Sequence, residues 1–204
     1  MISKVEFRWS WIYEQAYHSQ TLKSKEFNYE KYLKKTTKFI SKVKKDWKPI
    51  ENRIFKILPI ETGLEWKEKK VVCYLIKRSA LFPISDPLTI PIELEGEKIF
   101  VLNSKRFIDM LIHELIHNLF IQNEEKTEKY FQKIFENYPK EEFDTIIHLI
   151  IHALHKKIIL QIFDDKRLKE EIRHNQFYPA YKRSWEIVNE KGEDEIIREF
   201  KNFL

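Results

Sequence analysis

The second half of the chain carries helical segments that are apolar on nearly every face and yet contain histidines. From Asn103 onwards the apolar residues recur with the period of an α-helix. The predicted helices cover 103–120, 125–137, 140–163, 166–174 and 181–190. A helix that is apolar all round lies in a core, where histidine or glutamate is costly unless it has a partner. The fold must therefore provide partners for ionisable side chains inside its core.

The middle of the chain predicts a small sheet. Val71–Ile76 is a short apolar run bounded by lysines, and 88–94 and 98–102 flank Gly96 in a pattern that favours a hairpin. Prolines in and before the first arm, among them Pro91, predict an edge or irregular strand there. The expected fold class is α+β, a small antiparallel or mixed sheet with a hairpin packed on a mostly helical body.

The first third of the chain predicts basic helices. Asn28 is the expected cap of a helix that runs to about Asp46, and Pro49 opens a second helix that ends near Pro59. Seven lysines decorate the first helix. We interpret them as a solvated surface, with nucleic acid as a less favoured partner, because no arginine fork or aromatic platform accompanies them.

The predicted organisation is one domain over all 204 residues. A basic helical N-terminal extension covers 1–66, a β region covers 67–102, and a helical, metal-binding region covers 103–204.

Composition excludes several classes of function. The three glycines are too far apart for a dinucleotide-binding or phosphate-cradling loop. The single cysteine, Cys73, excludes an internal disulfide and any multi-cysteine metal site. The N-terminus lacks the apolar core of a signal peptide, and the longest apolar stretch, 145–162, contains three histidines and two lysines. We expect a soluble, cytoplasmic chain with no membrane span.

The strongest chemical signal is the five-residue stretch from His113 to His117, with Glu114 beside the first histidine. Four residues along a helix advance the side chain by about 40° and about 6 Å, so both imidazoles point from one face and can chelate a single zinc ion. Glu114 lies about 100° further round, where a carboxylate can reach a zinc-bound water without binding the metal itself. This arrangement predicts metal-assisted hydrolysis.

A third ligand is expected from the next apolar helix, where His148, His152 and His155 form one stripe. They span about 10 Å along the axis, so one ion cannot bind all three. We predict His148 as the third ligand, with His152 as the next candidate. Asp144 and Asp109, each one turn before a predicted ligand, are the expected orienting carboxylates.

The motif resembles that of the zincin metallopeptidases, nearest to compact gluzincin-like forms, over roughly residues 70–160. The resemblance implies that His113 and His117 bind zinc and that Glu114 is the general base. It also implies that an edge strand before the motif binds extended peptide by strand addition, a role that would fall to the 88–102 hairpin.

The zincin subclasses differ in their further ligands, and the chain can be compared with each. Asn123 stands where a metzincin has its last histidine, which excludes that subclass. A gluzincin supplies a glutamate as third ligand, and Glu136 has a suitable spacing. Zincins stabilise the developing oxyanion with a side-chain donor, and the candidates here are His174, Tyr178 and Tyr181.

The expected function is a zinc-dependent metallopeptidase with one zinc ion per chain and a peptide or protein as its substrate. Glu114 would deprotonate the zinc-bound water, and the zinc would polarise the scissile carbonyl. Two alternatives remain open: a zinc-stabilised binding protein without catalysis, for example one that binds nucleic acid, and a metal-dependent hydrolase of non-peptide substrates.

Overall fold

The computed structural model describes residues 4–22, 27–96 and 98–204. These residues form nine α-helices and five β-strands. In chain order they are β1 (Lys4–Arg8), α1 (Trp11–Thr21), α2 (Tyr29–Trp47), α3 (Glu51–Thr62), β2 (Lys70–Ser79), β3 (Ile84–Ser85), β4 (Leu88–Leu94), β5 (Phe100–Val101), α4 (Ser104–Gln122), α5 (Glu124–Asn137), α6 (Phe143–Ile162), α7 (Asp165–Asn175), α8 (Pro179–Lys191) and α9 (Glu193–Phe203). The predicted α+β class, mostly helical with a small mixed sheet, is confirmed.

The chain divides into two compact units. The first contains the residues up to Asn52 and Glu68–Asn118, and the second contains Arg53–Lys67 and Leu119–Leu204. The prediction of a single domain stays a prediction.

The sheet belongs to the first unit and has the strand order β1-β2-β4-β3, with β5 pairing β4 as well. β1 and β4 run parallel to β2, whereas β3 and β5 run antiparallel to β4. The predicted hairpin is present as β4 and β5, with Leu94 opposite Phe100. β1 was not predicted. The region 1–66 was expected to be a helical extension, but its residues Lys4–Arg8 form a strand of the sheet.

The prediction for β4 was an edge or irregular strand, and the edge alternative is wrong. β4 lies inside the sheet, and Pro91 stands opposite Ile76 in the parallel ladder. Proline costs about one ladder hydrogen bond, a net loss of about 1 kcal/mol. Burial of Leu88, Ile90 and Ile92 outweighs it, because each such side chain contributes about 1.5–3 kcal/mol.

Helix α1, also not predicted, covers the edge of β2 where β1 ends. Ser10 caps it, and Glu14, fully buried, points its carboxylate at the strand. The two Glu14 oxygens accept the Lys77 backbone N–H at 2.8 and 2.7 Å, and one also accepts the Trp9 indole N–H at 2.9 Å. Burial raises the pKa of the Glu14 carboxyl, and these hydrogen bonds oppose the rise.

Helix α2 confirms the predicted cap, since the Asn28 side chain accepts the Lys31 N–H at 2.8 Å. Its buried residues recur every three or four positions, and its seven predicted lysines are exposed. Helix α3 runs through Pro59 to Thr62, so its predicted end was wrong. Leu58 and Thr62 are both buried, which holds the last turn in place until Gly63 adopts a φ of 74°.

Helix α6 is the core of the second unit, where α5, α7, α8 and α9 pack against it. α9 was not predicted. By length and composition α6 could cross a membrane, but 67% of its most apolar window is buried inside the structure. The core helix of a soluble protein can have the same length and composition, so these features are weak evidence for a membrane span. The expected absence of a membrane span stays a prediction.

We predict that Glu14→Ala lowers the free energy of unfolding by about 2–4 kcal/mol, because the buried Lys77 N–H and the part-buried Trp9 indole N–H lose their acceptor. Glu14→Gln keeps one carbonyl oxygen as an acceptor and should cost clearly less. Urea unfolding followed by circular dichroism measures both, with the exposed neighbour Gln15→Ala as the control. Equal stability of Glu14→Ala and wild type would contradict this role.

Candidate metal centre

The predicted metal-binding motif lies in the middle of α4, a helix fixed on several sides by packing. Leu111, Ile112, Leu115 and Ile116 are all 0% exposed. Burial of these residues, two just before the motif and two inside it, sets the rotation of the helix. His113 and Glu114 are buried, and His117 is half-buried.

The two motif histidines converge as their spacing predicts. His113 Nε2 and His117 Nε2 are 3.2 Å apart, and the ring centroids are 4.9 Å apart. Two nitrogens bound to one tetrahedral zinc ion at about 2.05 Å would be about 3.3 Å apart. The pair therefore has the separation that chelation of a single ion requires.

Glu114 is held by strand β3. Its Oε2 accepts the Ser85 hydroxyl at 2.6 Å, and the Asn118 side-chain amide donates to the Ser85 carbonyl at 3.0 Å. Burial raises the pKa of the Glu114 carboxyl to about 7, and the Ser85 hydrogen bond opposes that rise. Sequence reasoning missed Ser85, because it lies in a proline-rich connection with no motif of its own.

The histidine stripe on α6 has unequal surroundings. His148 Nδ1 lies 2.6 Å from the main-chain carbonyl of Asp144. A carbonyl only accepts, so Nδ1 carries the proton and Nε2 carries the lone pair that can bind a metal. Burial lowers the pKa of His148 to about 4, and the Asp144 carbonyl opposes the shift, which favours the neutral imidazole that a metal needs.

The prediction was that the Asp144 carboxylate orients His148. In the structure it is the Asp144 main-chain carbonyl that contacts the His148 ring. The carboxylate oxygen Oδ2 accepts the Tyr178 hydroxyl at 2.8 Å instead. The other predicted orienting residue, Asp109, is buried on α4 one turn before His113.

The other two histidines of the stripe are packed into the core of the second unit. His152 Nδ1 lies 3.0 Å from the Ser184 hydroxyl, and its ring stacks on Trp185 with centroids 4.5 Å apart. His155 Nδ1 lies 4.0 Å from a carboxylate oxygen of Glu171. Both side chains are 0% exposed.

Three histidines form a group that could hold a metal ion. His113, His117 and His148 each offer one ring nitrogen, and these atoms all lie within 4.8 Å of one another. Within the described ranges this is the group found, and it contains neither His152 nor Glu136. Glu136 is exposed near the end of α5 and pairs with Lys133 Nζ at 2.6 Å. The arrangement is compatible with a bound metal ion.

The predicted oxyanion donors lie in or near α7 and α8. The Tyr178 hydroxyl is engaged by Asp144, and the Tyr178 ring contacts that of Tyr181 at 4.8 Å. Tyr181 lies directly against His148, with ring centroids 4.1 Å apart. His174 is half-buried in the last turn of α7. Of the three, Tyr181 has the most direct contact with a candidate ligand.

Neither a scan against protein-family models nor searches of the curated proteins and of the solved structures find a match for this chain.

We predict that zinc binding is lost in His148→Ala and kept in His152→Gln, which retains a hydrogen-bonding partner for Ser184. Loss of a residue that only hydrogen-bonds a ligand typically weakens metal binding by about 10–100-fold. Loss of a ligand itself should weaken zinc binding by more than this. Competition with a chromogenic chelator measures the affinity, and elemental analysis measures the zinc content. Zinc retained in His148→Ala and lost in His152→Gln would assign the third ligand to His152.

Proposed function

We propose that this chain is a zinc-dependent metallopeptidase, in which His113, His117 and His148 hold one zinc ion and Glu114 is the general base. The observation that supports it most is the convergence of three imidazole nitrogens within 4.8 Å, with a buried glutamate next to the first ligand in the chain. The resemblance of the motif to zincins supplies the reaction class.

The donor set suits zinc. Three neutral imidazoles are borderline ligands of the kind that zinc prefers, and no thiolate belongs to the group. Structural zinc sites have four protein ligands, whereas catalytic sites have three and an open position. The group among the described residues has three, which favours the catalytic interpretation over a zinc-stabilised binding protein. A zinc ion there supplies Lewis acidity, which polarises a carbonyl and lowers the pKa of water.

Glu114 is the residue that moves the proton. Its carboxylate takes the proton of the attacking water and then delivers it to the leaving amine. The Ser85 hydroxyl binds Oε2 and fixes the orientation of the carboxylate, so Ser85 is a positioning residue. The ring of Tyr181 lies against that of His148, and for this reason we propose Tyr181 as the oxyanion donor ahead of Tyr178.

A peptide substrate is favoured by the sheet edge beside Glu114. β3 is the end strand of the main path of the sheet, and its Ser85 contacts Glu114 directly. Ile84, Leu81 and Phe82 expose apolar surface next to this edge. We therefore assign strand addition to β3 and not to the whole 88–102 hairpin, whose strand β5 pairs with the other end of β4.

We predict that Glu114→Gln keeps zinc and loses hydrolysis by about 10²–10⁴-fold, because an amide cannot accept the proton of water. The substrates would be a library of internally quenched fluorescent peptides, assayed alongside zinc content. Full activity in Glu114→Gln would refute Glu114 as the base.

Ser85→Ala should lower kcat by about tenfold or more and leave KM and zinc content nearly unchanged, since it removes only the hydrogen bond that orients Glu114. Ser85→Thr keeps the hydroxyl and should restore most of the activity. If the alanine and threonine variants behave alike, Ser85 has a packing role only.

A further inference from the structure

The first unit contains a cavity that the proposed function does not use. Its volume is about 210 Å³, smaller than the pockets of about 300–1,000 Å³ that hold drug-sized ligands. Residues from α1, α2, β2 and the turn after β4 line it. A ligand that fills it must be a small molecule or a small part of a larger one.

Four cationic side chains line this cavity: Lys31 and Lys35 from α2, and Lys77 and Arg78 from β2. Lys77 is 3% exposed, which is rare for a lysine and costly for its charged form. Burial first, and then the charges of Lys35, Arg78 and Lys31, lower the pKa of Lys77 to about 8. The positive charges are thus close enough to repel one another.

Carboxylates offset only part of this charge. Glu93 forms an ion pair with Lys77 through Oε1 and a second one with Arg78 through Oε2, which lies 2.8 Å from Arg78 Nη2. One negative charge is therefore shared between two cations. Glu95 lines the cavity and lies 3.9 Å from Arg78. Four positive and two negative charges leave an excess of two around the cavity among these residues. A third carboxylate, that of Glu14, accepts the Lys77 backbone N–H, but Glu14 is not among the residues that line the cavity.

We propose that this cavity binds a phosphate group, either as free phosphate or as the phosphate of a small phosphorylated molecule. The excess of two positive charges matches a phosphate dianion. Lysines bind phosphate as point charges. The lysines that line the cavity belong to two different elements, α2 and β2, and this arrangement suits a tetrahedral anion better than a planar carboxylate. Lys31 and Lys35, one helical turn apart, repel each other without an anion and are expected to contact it.

Titration calorimetry on the full chain tests this proposal with inorganic phosphate, glycerol phosphate and malonate, the last as a dicarboxylate of similar charge. The double variant Lys31→Gln/Lys35→Gln removes two cavity charges whose side chains are exposed. The matched control Lys34→Gln/Lys38→Gln removes the same charge from the same helix outside the cavity lining. Phosphate affinity should fall by about tenfold or more in the first variant and less than about twofold in the second.

Tighter binding of glycerol phosphate than of inorganic phosphate would identify a phosphorylated molecule as the ligand class, and equal binding would identify free phosphate. Both results support the proposal. No phosphate binding by the wild type up to about 10 mM, an equal loss in the two double variants, or malonate binding as tight as phosphate would overturn it.

Discussion

The burial of α4 is the constraint on which the candidate centre depends. Four apolar residues of the helix, from Leu111 to Ile116, are removed from water on both sides of His113 and Glu114. An apolar core then surrounds two groups that need polar partners, and each has one: His113 faces the other motif histidine, and Glu114 receives the Ser85 hydroxyl. The same burial that stabilises the helix fixes its rotation and so the direction in which the histidine pair points, whereas the chelating distance follows from the spacing of four residues.

A second consequence concerns protonation. The surroundings of His148 disfavour the imidazolium, and the Asp144 carbonyl assigns the proton to Nδ1. The ring is therefore a neutral donor without an ion, so a metal ion that bound there would lose little free energy to its deprotonation. On the same helix, His152 is committed to Ser184 and Trp185. His148 and His152 lie on the same stripe of α6 but contact different residues of α8, so their rings have different chemical surroundings.

Sequence reasoning predicted what local patterns encode. The helix of the motif, the cap at Asn28 and the hairpin around Gly96 follow from residues close together in the chain. The strand β1 was missed because its partner, β2, lies more than sixty residues away and parallel pairing leaves little local signal. The same holds for Ser85, whose role exists only because β3 meets α4.

Energetic competition explains the remaining differences. Proline rules predicted an edge or irregular strand at Pro91 and a helix end near Pro59, and in both places buried apolar neighbours outweigh the lost hydrogen bond. The choice between His148 and His152 could not be made from a helical wheel, since both lie on one stripe. The two rings differ in their partners, a carbonyl oxygen for His148 and a hydroxyl for His152, and no spacing encodes these partners.

X-ray absorption at the zinc edge of the zinc-loaded wild-type chain would count the side chains that hold the ion. We expect about three imidazole nitrogens at about 2.0–2.1 Å and a fourth light ligand that comes from solvent and not from an imidazole. A spectrum with four imidazoles, or with a sulfur ligand at about 2.3 Å, would contradict an open three-histidine centre.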